Sequence, residues 1–195
     1  MEYIISFDTY LFYLINNGLS NKIFDAFMPF ITEMDNWLMI YILGFWFLFF
    51  KSGKNGRIAA IVLIITIIIS DQLSSTFIKE WVGRIRPCHT LEHVNLLVGC
   101  GGGKSFPSSH AVNNFAAAFV ITFYFKKYRW FFFTMAALVA ISRVYVGVHY
   151  PVDILAGTLI GLVVAYCTTF VTQKILNLLS KNKTANSITK KIQKS

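Results

Sequence analysis

Charge is scarce in this 195-residue chain: 14% of its residues are Asp, Glu, Lys or Arg, against 55% that are hydrophobic. A soluble globule carries about 25% charged residues, so this composition, with a mean hydropathy of +0.57, excludes that class and calls for an integral membrane protein. Acidic residues are scarcest, nine against eighteen Lys and Arg, which leaves a net charge of +9. A basic excess can serve nucleic acid. Here the cations stand in short runs between apolar segments and at the C-terminus, where topology determinants of inward-facing loops stand, so no nucleic-acid partner is expected. Three cysteines allow one bridge at most. There is no internal repeat, and the start Met1-Glu2-Tyr3 has neither the basic residues nor the small-residue cleavage site of a removable signal peptide.

A spanning helix needs about 20 apolar residues. Five segments meet or approach that length: Trp37–Phe50, Ile58–Ile78, Ala111–Phe125, Trp130–Val148 and Ile154–Leu176. The connections Lys51–Arg57 and Lys126–Arg129, and the tail from Lys174, are basic and should face the cytoplasm. Alternation then brings the long Lys79–His110 connection and the short His149–Asp153 link together on the opposite face. Residues Tyr3–Asn17 and Lys22–Ile31 are apolar but short, and suit an interfacial hairpin on that face, or else one interrupted span. Residues 1–35 are therefore set apart from a transmembrane core, 36–178, and a basic cytoplasmic tail, 179–195, expected to be disordered or to lie on anionic headgroups. The fold class is an all-α polytopic membrane bundle of five to six transmembrane helices.

Polar residues beside such segments are costly, and their clustering marks a functional site. Lys79 and Arg86 stand seven apart, so a continued helix would place both on one face, with Pro87 ending it; alone, they could equally be cations reaching headgroup phosphates. Phe106–His110 opens the third span, where Ser108 or Ser109 can cap the helix and its free N–H groups can hold an anion. Ser142 and Arg143 close the fourth span. His149 leads into the fifth, where Pro151 opens the helix and Asp153 falls in its first turn, within reach of the imidazole. A carboxylate that fixes one ring nitrogen leaves the other free as a nucleophile, although Arg143, His149 and Asp153 could also form a purely structural ion cluster.

In order and spacing, Lys79 with Arg86-Pro87, then Pro107-Ser108-Ser109-His110, then Ser142-Arg143 with His149 and Asp153, resemble the three signature motifs of the type 2 phosphatidic acid phosphatase family. Where that family has glycine, this chain has Ser109; the family uses this residue's backbone N–H to hold phosphate, and a serine at positive φ would be strained. The resemblance implies a helical membrane core similar to that of vanadium haloperoxidases, and metal-free, cofactor-free hydrolysis of a lipid phosphate. It implies that His149, oriented by Asp153, attacks phosphorus to form a phosphohistidine while His110 serves as acid and then base. Lys79, Arg86, Arg143, Ser108 and the Ser109 amide would hold the nonbridging oxygens. Neutral His149 and charged His110 predict a bell-shaped pH dependence.

Between Pro87 and Lys104, Cys88 and Cys100 suit a disulfide on the outer face; zinc binding with His89 or His93 matches no standard spacing, and free thiols are the third alternative. Gly99 and Gly101–Gly103 loosen the following stretch, where Lys104 would reach a headgroup or form part of a plain linker. The sequence thus describes an enzyme of the inner or plasma membrane with its site on the periplasmic or extracellular face, a cytoplasmic C-terminus, the bilayer as its medium and no obligate protein partner. In size the chain resembles bacterial members of that family, and the resemblance implies as candidate substrates undecaprenyl pyrophosphate, phosphatidylglycerol phosphate, phosphatidic acid and lipid A 1-phosphate. A lipid phosphotransferase with the same histidine, or a nonenzymatic scaffold, is the alternative.

Overall fold

The computed structural model describes residues 2–192. They fold into helices α1 (Glu2–Asn16), α2 (Lys22–Thr32), α3 (Leu38–Phe50), α4 (Gly53–Asp71), α5 (Lys79–Val82), α6 (Pro87–Thr90), α7 (Ser109–Tyr124), α8 (Arg129–Tyr145) and α9 (Pro151–Ile192). Among the described residues the one strand-like pairing is an antiparallel bridge between Ile85 and Lys104. A π-helical stretch, Gln72–Ile78, joins α4 to α5, making one continuous rod of 30 residues from Gly53 to Val82. This rod and Pro151–Asn182 have the length and apolarity to cross a membrane, whereas α3, α7 and α8, of 13, 16 and 17 residues, are shorter.

α7 is the hub, packed against α9, α8 and α4. The core is built largely of Ala and Val, among them Ala59, Ala60, Ala111, Ala116, Ala140 and Ala165, with Phe12 and Tyr145 buried beside them, while Trp81, Trp130, Phe47, Ile68 and Leu159 point outward. This inverts the order of a soluble protein. Lipid tails receive large apolar side chains at no cost, and helices gain from close backbone approach. At Gly161 a Cβ would lie 2.2 Å from the Val112 carbonyl oxygen, and at Gly157 2.7 Å from that of Ser108, so these two glycines let α9 lie directly on α7.

α1 and α2 are separate helices joined by a turn. Asn21 caps α2, its Oδ1 accepting from the N–H groups of Ile23 and Phe24 at 3.1 and 3.0 Å. Both helices pack on α8, and α1 also reaches α9, at the end of the bundle that carries the histidines. At the other end of the chain α9 continues past Leu179 to Ile192. The tail is therefore helical in its described part, where disorder or headgroup contact is the sequence expectation; no proline or glycine follows Gly161 to stop it.

Gly161→Ala should lower the stability of the bundle by about 1–3 kcal/mol, read as a lower thermal unfolding midpoint in detergent. Gly44→Ala, where the added methyl meets nothing, should not lower it.

Candidate active site

Helix α9 opens with Tyr150 as its cap and Pro151 as its first residue, and Asp153 sits three positions after the cap. From there its carboxylate reaches back: Oδ2 accepts from the Tyr150 backbone N–H at 2.8 Å, half of a capping box. The same oxygen accepts from the Ser105 hydroxyl and lies 3.5 Å from His149 Nδ1. His149 is 1% exposed and Asp153 fully buried. The backbone N–H groups of Val148 and His149 both donate to the Arg143 carbonyl at 3.2 Å, so the link that carries the imidazole is folded onto the end of α8. Burial pushes the His149 imidazole down to about 4, against the opposing pull of Asp153, so it is neutral at physiological pH.

Around this dyad the structure gathers Lys79, Arg86, Ser108, Ser109, His110 and Arg143, with the charges of Arg143, Lys79 and Arg86 all acting on His110. Lys79 and Arg86 do not reach the site along one helical face, as a continued helix would have it. α5 ends at Gly83, in the left-handed conformation (φ 64°), whose N–H donates to the Lys79 carbonyl; Arg86 then approaches on extended backbone (φ −67°, ψ 149°). Burial lowers the affinity of the Arg86 guanidinium for its proton. Arg86 Nη1 donates to the Cys100 carbonyl at 3.1 Å, and Arg143 Nη1 donates to Thr32 Oγ1 at 2.8 Å. Ser108 is the cap residue of α7, yet its buried hydroxyl makes no cap bond; Ser108 Oγ, Arg86 Nε and Arg143 Nε all lack a hydrogen-bond partner within the protein.

Ser109 opens α7 without strain. Among the described residues His93 (φ 53°) is the one non-glycine at positive φ. The Ser109 hydroxyl lies 3.1 Å from that of Ser75, which donates to Asp71, so the side chain that replaces glycine is bonded to the π-helical stretch. Cys88 and Cys100 are joined as a disulfide, beside which His89 Nε2 lies 3.2 Å from Cys100 Sγ. The three side chains fall within ligand distance of one another, but a disulfide offers no thiolate to a metal, so this group does not suit zinc as it stands. Lys104 is paired with Glu80.

Three residues of this constellation escape a motif-based reading. Arg84 donates to Asp153 Oδ1 at 2.9 Å and to Asp8 at 2.6 Å, and its guanidinium lies 3.8 Å over the Tyr150 ring. Asp8, 1% exposed, also accepts from the Val152 N–H at 2.9 Å and so ties α1 to the start of α9. Ser105 is fully buried and held in place by its N–H, which donates to the Arg84 carbonyl at 2.6 Å. Asp8 does carry a signal, being a carboxylate in the middle of an apolar helix. Ser105, next to a glycine-rich loop, carried none.

The model of the PAP2 superfamily matches residues 58–176, which includes every element that supplies the cations and histidines above. A lipid A 4'-phosphatase of Porphyromonas gingivalis is 34% identical over 173 residues, which span 85% of this chain and 73% of that protein. The crystal structure of Aquifex aeolicus LpxE superposes with a TM-score of 0.69 at 26% identity, covering 83% of this chain and 93% of the other. The fold is also that of a transmembrane PAP2-type phosphatidylglycerolphosphate phosphatase from Bacillus subtilis (TM-score 0.65, 24% identity, 90% and 89% covered).

Ser105→Ala removes the hydroxyl that steadies Asp153 without touching the groups that would meet phosphate. It should lower kcat about tenfold or more, the loss of a hydrogen bond to a charged group, and leave KM close to the wild-type value, as steady-state kinetics will show.

Proposed function

The chain belongs to the PAP2 superfamily, and on that premise we propose that it is a membrane lipid phosphatase that hydrolyses a phosphomonoester or pyrophosphate through a phosphohistidine. One observation carries this reading: three buried donors without partners, Ser108 Oγ, Arg86 Nε and Arg143 Nε, stand around a neutral imidazole backed by a carboxylate. Donors left unpaired in a protein interior are costly. An anion with several acceptor oxygens satisfies all three, and its charge suits the cations beside them.

In the first step the lone pair of His149 Nε2 attacks phosphorus, and the bond to the lipid oxygen breaks as His110 gives that oxygen a proton. Asp153, on Nδ1, supports the positive charge that the ring acquires. In the second step His110 takes a proton from water, the water oxygen attacks phosphorus and the P–N bond breaks, which frees inorganic phosphate and His149. Lys79, Arg86 and Arg143, with Ser108 and the Ser109 amide, bear the charge on the nonbridging oxygens throughout, the service that a phosphoryl group in transit needs most. No metal ion or cofactor is assigned a part.

Lipid A phosphates stand first among substrates, because the relative with 34% identity is a lipid A 4'-phosphatase; undecaprenyl pyrophosphate, phosphatidylglycerol phosphate and phosphatidic acid follow. For topology we propose five spans, α3, α4 with α5, α7, α8 and α9, with α1 and α2 lying at the interface. The basic connections Lys51–Arg57 and Lys126–Arg129 support placing their ends of the helices in the cytoplasm and the histidines on the periplasmic or extracellular face.

Purified protein in detergent with excess EDTA should release phosphate from members of a lipid mono- and pyrophosphate panel. His149→Ala should release none, and Arg143→Ala should lose about a hundredfold or more in kcat/KM; turnover by His149→Ala would refute the mechanism. A second expectation concerns pH. With His149 held at about 4, its nucleophilic form persists well below the ordinary imidazole midpoint, so kcat/KM for a substrate of fixed charge should show no loss from His149 between pH 6.5 and 5. An acid limb near 6.5 that disappears in Asp153→Asn would contradict the neutral, buried nucleophile.

A further inference from the structure

Helices α1 and α2 lie outside residues 58–176, the stretch that the superfamily model matches. They are nonetheless seated beside the histidines. On α2, Met28, Ile31 and Thr32 are buried, at the spacing of one helical face. Met28 packs on Tyr145, Val146 and Val148, at the end of α8 and in the link that follows it. Tyr145, 1% exposed, donates from its hydroxyl to Asp25 Oδ1 at 2.6 Å, and its carbonyl accepts from Asn16 Nδ2, also at 2.6 Å. This tyrosine stands two positions after Arg143 on the same helix. The contacts that seat the hairpin on α8 therefore also set where α2 ends relative to that arginine.

The residue at that end is Thr32, 2% exposed, whose hydroxyl accepts from Arg143 Nη1 at 2.8 Å across 111 positions of sequence. Among the described residues this is the one hydrogen bond that the guanidinium makes. The Glu33 carboxylate, next along the chain, acts on Arg143 through its charge. A guanidinium has five N–H donors and no acceptor, and its long stem leaves it many orientations. It meets phosphate oxygens with two parallel donors only when its planar fork is turned the right way. An arginine that is not held must be ordered each time an anion binds, which weakens the binding.

We propose that Thr32 is a positioning residue for phosphate: by taking Nη1 it sets the rotation of the Arg143 fork before the substrate arrives. The α1–α2 hairpin is then a working part of the site. This inference rests on the reading of Arg143 as a phosphate ligand given above. What matters in Thr32 is the hydroxyl oxygen, so serine serves in its place and valine, of nearly the same shape, does not.

The test is calorimetric titration of the full chain, purified in detergent, with inorganic phosphate. Thr32→Val and Thr32→Ala, which lack the hydroxyl, should each bind phosphate about two- to tenfold more weakly than the wild type, the cost of immobilising one long side chain at binding. Thr32→Ser should bind as the wild type does, although it removes a buried methyl group; a role in packing alone gives the reverse order, with Thr32→Val near wild type and Thr32→Ser impaired. In an Arg143→Lys background, where there is no fork to orient, Thr32→Val should cause little further loss. Wild-type affinity in Thr32→Val and Thr32→Ala, the packing order, or an equal loss from Thr32→Val in both backgrounds would overturn the proposal and leave the phosphatase reading intact. Failure of the wild type to bind phosphate at all would overturn both.

Discussion

The carboxylate of Asp153 is the point on which the rest of the structure depends. A buried charge in a membrane bundle survives only when its oxygens are fully engaged, and here the Ser105 hydroxyl, the Tyr150 amide, the Arg84 guanidinium and the His149 imidazole all converge on it. The four partners come from three separate pieces of chain. To satisfy one carboxylate, the segment after α5, the stretch before α7 and the link between α8 and α9 must all lie in register. The orientation of the imidazole is thus a by-product of a larger requirement, the neutralisation of a charge that has no water to turn to.

Small residues fix the distances at which this happens. Gly157 and Gly161 bring α9 onto the backbone of α7 at Ser108 and Val112, so the start of α7, with its serines and His110, lies against the first turns of α9, where Asp153 stands. Most of the aromatic and aliphatic bulk of the spanning helices is sent outward, into lipid. The π-helical stretch before Lys79 belongs to the same economy of space: it carries Ser75 within hydrogen-bond distance of Ser109, so that the serine standing in place of glycine has a partner.

Much of this was legible in the sequence, because the cost of polarity in lipid makes signals sparse and strong. The apolar stretches foretold α3, α4, α7, α8 and α9, and Pro151 with Asp153 foretold how α9 begins. The face shared by Lys79 and Arg86 was misjudged, since Gly83 stops the helix between them and a single glycine can be read either as tolerated or as terminal. Ser105, Arg84 and Asp8 were passed over for another reason. Their roles arise from contacts between residues 48 to 76 positions apart, and no local pattern encodes such a meeting.

The salt bridge from Asp8 through Arg84 to Asp153 joins the first helix of the chain to the last. Synthesis makes those helices at opposite ends of its timetable. A nascent chain that extends from α1 to just past α5 holds a carboxylate and a guanidinium already matched, but Asp153, the carboxylate beside His149, arrives only with α9. Assembly therefore closes like a ring whose clasp is made last, and the pairing of Asp153 with His149 and Arg84 cannot form until the start of α9 is in place.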